Sequence, residues 1–257
     1  MATLISDPGD PRVADFAALR DRERPPGVFV AEGLLAVEQL LASAYPVRSV
    51  LVTPSRAGQF PGVPLLVAEQ AVLNQIAGFD IHRGVLASAD RLPLPSVASV
   101  LAGAGSLVAV LEGINDLENM GALFRNAAAF GVRAVLLSPD CCDPLYRRSV
   151  RVSLGHVLHV PFTPLEGTVG LAAVAAAGFM TVALTPAADA EPIDAFAASV
   201  GPDARLALLL GAEGPGLRPG TLAGADRRVR IPLAPGVDSL NVATAAAVAF
   251  HRLTTRA

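Results

Sequence analysis

Apolar positions along the chain recur in two rhythms, and the rhythm changes near residue 106. Before it, a short apolar strand at 28–30 leads into residues 32–44, where Leu34, Leu35, Val37, Leu40 and Leu41 fall at helical spacing. Strands at 47–52 and 63–67, a short helix at 72–77 and a strand at 84–87 complete a small α/β unit. Residues 91–104, rich in Pro, Ser and Gly, predict a linker.

From Ser106 onward strands alternate with helices. Strands are expected at 107–111, 134–137, 181–184, 205–210 and 229–231, and helices at 121–130, 147–154, 169–177 and 240–253. That alternation predicts an α/β fold with a mostly parallel sheet and helices on both faces. The domains read as 1–98 and 105–257, with no internal repeat.

Composition sharpens this picture. Hydrophobic residues make up 52% of the 257-residue chain and charged residues only 17%, against about 25% charged in ordinary soluble domains. Residues 92–111 and 167–188 are uncharged, but proline, glycine and alanine break their apolar density below what membrane insertion favours. The start of the chain lacks the basic and apolar regions of a signal peptide. The cysteines, Cys141 and Cys142, are adjacent, which excludes a disulfide framework and suits a reducing cytoplasm. All 20 basic residues are arginine, and the net charge is −3, so a nucleic-acid partner must be met by local patches.

The candidate patches are Arg147, Arg148 and Arg151 on one predicted helix, Arg227, Arg228 and Arg230, and Arg20, Arg22 and Arg24. Asp21 and Glu23 interleave the last group, so a solvated face explains it equally well. The first is the preferred nucleic-acid contact. His156, His159 and His251 show no metal-ligand spacing, and no metal is expected.

Chemistry concentrates in three segments. In the first, a strand ends in a polar loop and a helix opens at Asn119–Gly121, with Arg125 one turn in. That arrangement suits an anion site, although an Asn N-cap beside a surface arginine explains the spacing as simply. The second, Gly211-Ala-Glu213-Gly214-Pro-Gly216-Leu217, follows a buried strand and permits close backbone approach to a ligand. It is not a dinucleotide fingerprint, and without lysine no phosphate-binding P-loop exists. In the third, Ile231-Pro232 through Ser239-Leu240-Asn241-Val242, either Ser239 or Asn241 can cap the closing helix.

Taken in order, these segments resemble the SpoU/TrmH family of RNA ribose methyltransferases, within the SPOUT superfamily. Asn119-x-Gly121-x-x-x-Arg125-x-Ala127 with Phe130-Gly131 is similar to the family's first motif. Gly211 through Leu217 and Ile231-Pro232…Ser239-Leu240-Asn241-Val242-x-x-Ala245 are similar to its second and third. Asp143-Pro144…Arg151-x-Ser153-x-Gly155 resembles a stretch between them. The likeness covers about 106–253. More faintly, Phe29-Val-Ala-Glu32-Gly33 and His82-Arg-Gly84-Val resemble the family's ribosomal-protein-like RNA-binding domain. Asn126, Ala243 and Arg83 depart from the residues usual at their positions.

The resemblance implies a deep trefoil knot, rare among folds, and a homodimer built on the closing helix. It implies S-adenosylmethionine as cofactor, held at Thr185, Gly211, Ile231 and Leu240, and Arg125, Asn119, Glu213, Ser239 and Asn241 as catalytic positions. The implied reaction is methylation of a ribose 2′-hydroxyl in structured RNA, 23S ribosomal RNA foremost. Transfer RNA as substrate is the alternative, as is a non-catalytic knotted RNA-binding or assembly protein.

Overall fold

The computed structural model describes residues 2–17, 19, 27–81, 84–165 and 167–255; Arg20, Arg22, Arg24, His82 and Arg83 lie outside the described residues. Two compact units are formed, one from residues 1–93 and 145–159 and the other from 94–144 and 160–257.

The first unit carries β1 (Ala2–Ile5), β2 (Val28–Glu32), α1 (Leu34–Leu41), β3 (Val47–Val52), β4 (Leu65–Ala68), α2 (Gln70–Ala77) and β5 (Val85–Asp90). Its sheet runs β1-β4-β3-β5-β2. The first three strands are parallel, and β5 is antiparallel to both its neighbours. Ile5, Phe16, Leu51, Leu73 and Leu86 share one buried cluster. The apolar spacing read as a helix from residue 32 begins two residues later, because Glu32 belongs to β2 and Gly33 turns the chain at φ +94°.

The second unit begins with α3 (Val97–Gly103), β6 (Leu107–Glu112), α4 (Leu117–Ala129) and β7 (Val135–Leu137). The chain then contributes α5 (Arg147–Val152) to the first unit and returns for β8 (Phe162–Pro164) and α6 (Gly167–Ala176). It continues through β9 (Met180–Leu184), β10 (Glu191–Pro192), α7 (Ile193–Ser199), β11 (Leu206–Gly211), α8 (Pro219–Gly224), β12 (Arg227–Arg230) and α9 (Val242–Thr254). The strands form a wholly parallel sheet in the order β10-β12-β9-β11-β6-β7-β8. Helices α4 and α9 pack together, as do α3 with α6 and α6 with α8. Strands β6 and β11, buried along nearly their whole length, form the middle. Continuous Leu, Val and Ala suit strands covered on both faces.

Three expectations are corrected. The segment read as a linker holds α3, capped by Ser96, whose Oγ accepts from Ser99 N at 3.2 Å, and anchored by buried Val100 and Leu101. Helix α4 starts at Leu117 rather than near 119–121, since Asp116 Oδ1 accepts from the amides of Glu118 and Asn119 at 2.9 and 2.8 Å. The stretch 145–159, expected inside the second domain, packs with the first unit. Its Gly155, at φ +83°, leaves no room for a side chain: a Cβ there would lie 2.6 Å from Gln39 Cβ. Among the described residues, no helix is long and apolar enough to cross a membrane.

Candidate active site

Strand β11 ends in the glycine loop, and the loop doubles back on the strand. Ala212 pairs with Gly216 in an isolated bridge, and Gly214 and Gly216 take positive φ values of +83° and +70°. A Cβ on Gly211 would stand 2.2 Å from the Gly216 carbonyl carbon and the Leu217 nitrogen. The loop's own backbone therefore demands glycine at 211.

Asn241 is the N-cap of α9, with its Oδ1 accepting from the amides of Ala243 and Thr244 at 3.0 and 3.2 Å. Its Nδ2 donates to Asn119 Oδ1 at 2.8 Å and to Glu213 Oε1 at 2.5 Å. One amide thus joins α4, the glycine loop and α9. Ser239, its rival as cap, is exposed. Asn126 and Ala243 meet: Asn126 Nδ2 donates to the Ala243 carbonyl at 2.8 Å, bracing α4 against α9.

Two cavities flank this junction. One, of about 510 Å³, lies at the carboxyl ends of β9, β11 and β12. Thr185, Gly211, Ile231 and Leu240 all line it, together with Ser239, Glu213 and Asn241. Leu184, Leu210 and Leu233 add apolar wall, a mixture suited to a flat heterocycle with a few polar anchors. The other, of about 540 Å³, opens between the loops that follow β6 and β11 and is walled by Glu112, Asp116, Asn119, Asp140, Glu213 and Arg218. Ala212, Glu213, Gly216 and Val242 line both cavities.

Four charged residues of this second cavity were missed as site residues from the sequence. Buried Glu112 accepts from Arg218 N and from Thr221 Oγ1, each at 2.5 Å, pinning the far end of the glycine loop to β6. Asp140 pairs with Arg218 Nη2 at 2.5 Å. The Ser138 hydroxyl and then Arg218 hold its carboxyl below the ordinary aspartate value. Asp116 is the helix cap already described. A glutamate at the end of a fully apolar strand was the signal for Glu112, whereas nothing local marks Asp140 or Arg218.

Arg125 stands apart from this network. It is exposed on α4, and its side chain makes no hydrogen bond or ion pair with the described residues. The preferred RNA-contact helix is also engaged elsewhere: Arg147 and Arg151 both pair with Glu32, and the Arg147 guanidinium lies 4.5 Å from the Phe79 ring centre. Arg148, on the same helix, is exposed. Arg227 pairs with Glu191, Arg228 with Asp189 at 3.0 Å, and Arg230 Nε donates to the Ala190 carbonyl at 3.0 Å, so this cluster ties β12 to the turn beside it. Among the described residues no group of acidic, histidine or cysteine side chains could hold a metal.

Two cavities that share a wall at the carboxyl ends of parallel strands lie where open α/β proteins bind their ligands. The sequence model of the SpoU rRNA Methylase family matches residues 106–251. A tRNA/rRNA methyltransferase of Mycobacterium tuberculosis is 45% identical over 97% of this chain and 91% of its own. The 23S rRNA (guanosine-2′-O-)-methyltransferase RlmB of Ralstonia nicotianae is 34% identical over 75% of this chain and 77% of its own. The fold matches that of an AdoMet-bound rRNA methyltransferase from Sinorhizobium meliloti, with a TM-score of 0.83 at 22% identity, covering 98% of this chain and 97% of that one. The chain belongs to the SpoU rRNA methylase family. It is an RNA methyltransferase.

Proposed function

We propose that the chain methylates a ribose 2′-hydroxyl of 23S ribosomal RNA with S-adenosylmethionine as donor, acting in the cytoplasm as a homodimer. The observation that carries this reading is the single amide of Asn241, which joins Asn119 and Glu213 on the wall between the two cavities. The cavity under β9, β11 and β12 fits the donor: Thr185 is its polar anchor, and Ile231 and Leu240 are its apolar slot. Segments 211–217 and 231–241 would form the knot. When bound there, the cofactor supplies an electrophilic methyl group.

The acceptor hydroxyl is a poor nucleophile until it loses its proton, and orientation supplies much of the remaining acceleration. A guanidinium does not give up its proton in proteins, so the base is sought elsewhere than in an arginine. The role of Arg125 is to grip the target phosphate and stabilise the developing alkoxide, with a phosphate oxygen receiving the proton. Exposed, and with its side chain unengaged among the described residues, Arg125 suits delivery to the partner subunit's site. Asn119, Glu213 and Asn241 hold the shared wall in place, and Ser239 orders the loop before α9.

The test is tritium transfer from S-adenosylmethionine to ribosomal and transfer RNA from a strain lacking the protein. Label in 23S RNA ribose is expected. Label confined to transfer RNA would move the substrate, and RNA binding without label would overturn the enzymatic reading. Arg125→Ala should lower transfer at least a hundredfold while cofactor affinity, read by calorimetry, stays within about twofold.

A further inference from the structure

Among the described residues that line the donor cavity, Glu213 alone carries a charge. It lines the second cavity as well, beside the carboxylates of Glu112, Asp116 and Asp140. Arg218 is the one cation among the lining residues there, and it already pairs with Glu112 and Asp140 at 3.6 and 2.5 Å. The wall that the two cavities share is therefore negative. Glu213 is engaged through one oxygen: Oε1 accepts from Asn241 Nδ2 at 2.5 Å, and among the described residues nothing donates to Oε2. Asn241 thus fixes a carboxylate in the wall and leaves its second oxygen for a ligand.

We infer that Glu213 reads the charge of the methyl donor, attracting the sulfonium of S-adenosylmethionine and releasing the neutral product. The inference rests on the donor placement proposed above.

The chemistry says where the charge must lie. A methyl group passes from one cavity to the other only across the wall they share, formed by Ala212, Glu213, Gly216 and Val242. The sulfur that carries it must face that wall. Transfer breaks the S–CH3 bond, leaves the electron pair on sulfur and forms an O–CH3 bond, while the hydroxyl proton passes to the phosphate oxygen. The sulfonium becomes the neutral thioether of S-adenosylhomocysteine.

Donor and product share the adenosine, the ammonium and the carboxylate. They differ by one methyl group and one positive charge. Ala212, Gly216 and Val242 present only backbone and apolar side chains, so they respond to the bulk of the methyl group. Glu213 responds to the charge, because a full carboxylate acts on a full cation at a distance where an apolar contact does not. The attraction ends when the methyl group leaves, which favours exchange of spent for fresh donor. One such pair in a cleft open to water falls between exposed and buried ion pairs, about tenfold in affinity.

The test is calorimetry on the full-length protein with three ligands: S-adenosylmethionine, S-adenosylhomocysteine and sinefungin, whose protonated amine replaces the methylsulfonium. Glu213→Gln removes the charge and keeps an amide oxygen to accept from Asn241. The variant should bind S-adenosylmethionine and sinefungin about tenfold more weakly than wild type does, and S-adenosylhomocysteine within about twofold of it. Equal weakening of all three would assign Glu213 to the shared ammonium or to the shape of the loop. That result overturns the inference and leaves the transferase reading standing, as does unchanged binding of S-adenosylmethionine. Weakening of S-adenosylmethionine without sinefungin would show that the methyl group is read rather than the charge, and overturns it too. Should wild type bind none of the three, the donor placement falls and the inference with it. Glu213→Ala, read by the same ratio of affinities, decides the matter should the glutamine variant not fold.

Discussion

Asn241 has no unused hydrogen-bonding group: its oxygen caps α9 and both amide hydrogens hold other segments. Asp is as good a cap as Asn, but Asn241→Asp replaces the donor with a carboxylate facing Glu213. The expected outcome is a melting temperature lowered by only a few degrees with transfer lowered at least tenfold. A fall in stability without loss of transfer would contradict this assignment. Nearby, Cys142 has its thiol pushed up to about 12, first by burial and then by the neighbouring Cys141, Asp116 and Asp143. Its proton is held more tightly in the folded chain. The associated stability is full below the ordinary value of 9.0 and is lost as pH climbs from there towards about 12. Cys142→Ala should flatten that alkaline decline in urea unfolding, and at pH 8 iodoacetamide should label Cys142 far more slowly than a free thiol.

At the level of elements, the glycine loop and β11 act as one part. Strand β11 could be read from five consecutive buried apolar residues, and the loop from its three glycines. That the loop returns over its own strand could not, because the reason for Gly211 is a backbone contact rather than a turn. Gly211→Ala would drive a methyl group into the Gly216–Leu217 peptide, a contact with no flexible end to yield. Cofactor affinity is expected to fall at least tenfold by calorimetry, with the first unit's hydrogen-exchange protection unchanged. Short elements were the ones the sequence hid. Strand β8 and helices α7 and α8 are three, seven and six residues long, too brief for periodicity to distinguish them from loops.

At the scale of the whole molecule, most of the described arginines pair with groups of the fold. The side chains of Arg147 and Arg151 converge on Glu32, whose side chain is only 10% exposed, and among the described residues nothing accepts from Arg147 Nε. Removing the carboxylate would leave a buried guanidinium without its counter-ion, a loss of about 3 kcal/mol or more. Glu32→Ala should therefore lower urea-unfolding stability by about that amount, while Glu32→Gln, which keeps an acceptor oxygen, should cost less. Among the described residues the basic clusters seen in sequence are largely engaged: Arg147 and Arg151 with Glu32, and Arg227 and Arg228 with Glu191 and Asp189.

Residue order alone determined the alternation of strands and helices and the three motifs, because each depends on neighbours close in the chain; the family resemblance carried by those motifs pointed to Thr185, Gly211, Ile231 and Leu240, which line one cavity. It also exposed Asn119, Glu213 and Asn241 as members of one set. Only the tertiary structure decided how they join, through hydrogen bonds spanning 122 and 28 residues. The same holds for residues 145–159, whose local pattern says helix but not which unit it packs against. Local periodicity encodes burial and backbone conformation, whereas the partner of a charge or an amide is set by whichever distant segment the fold brings beside it.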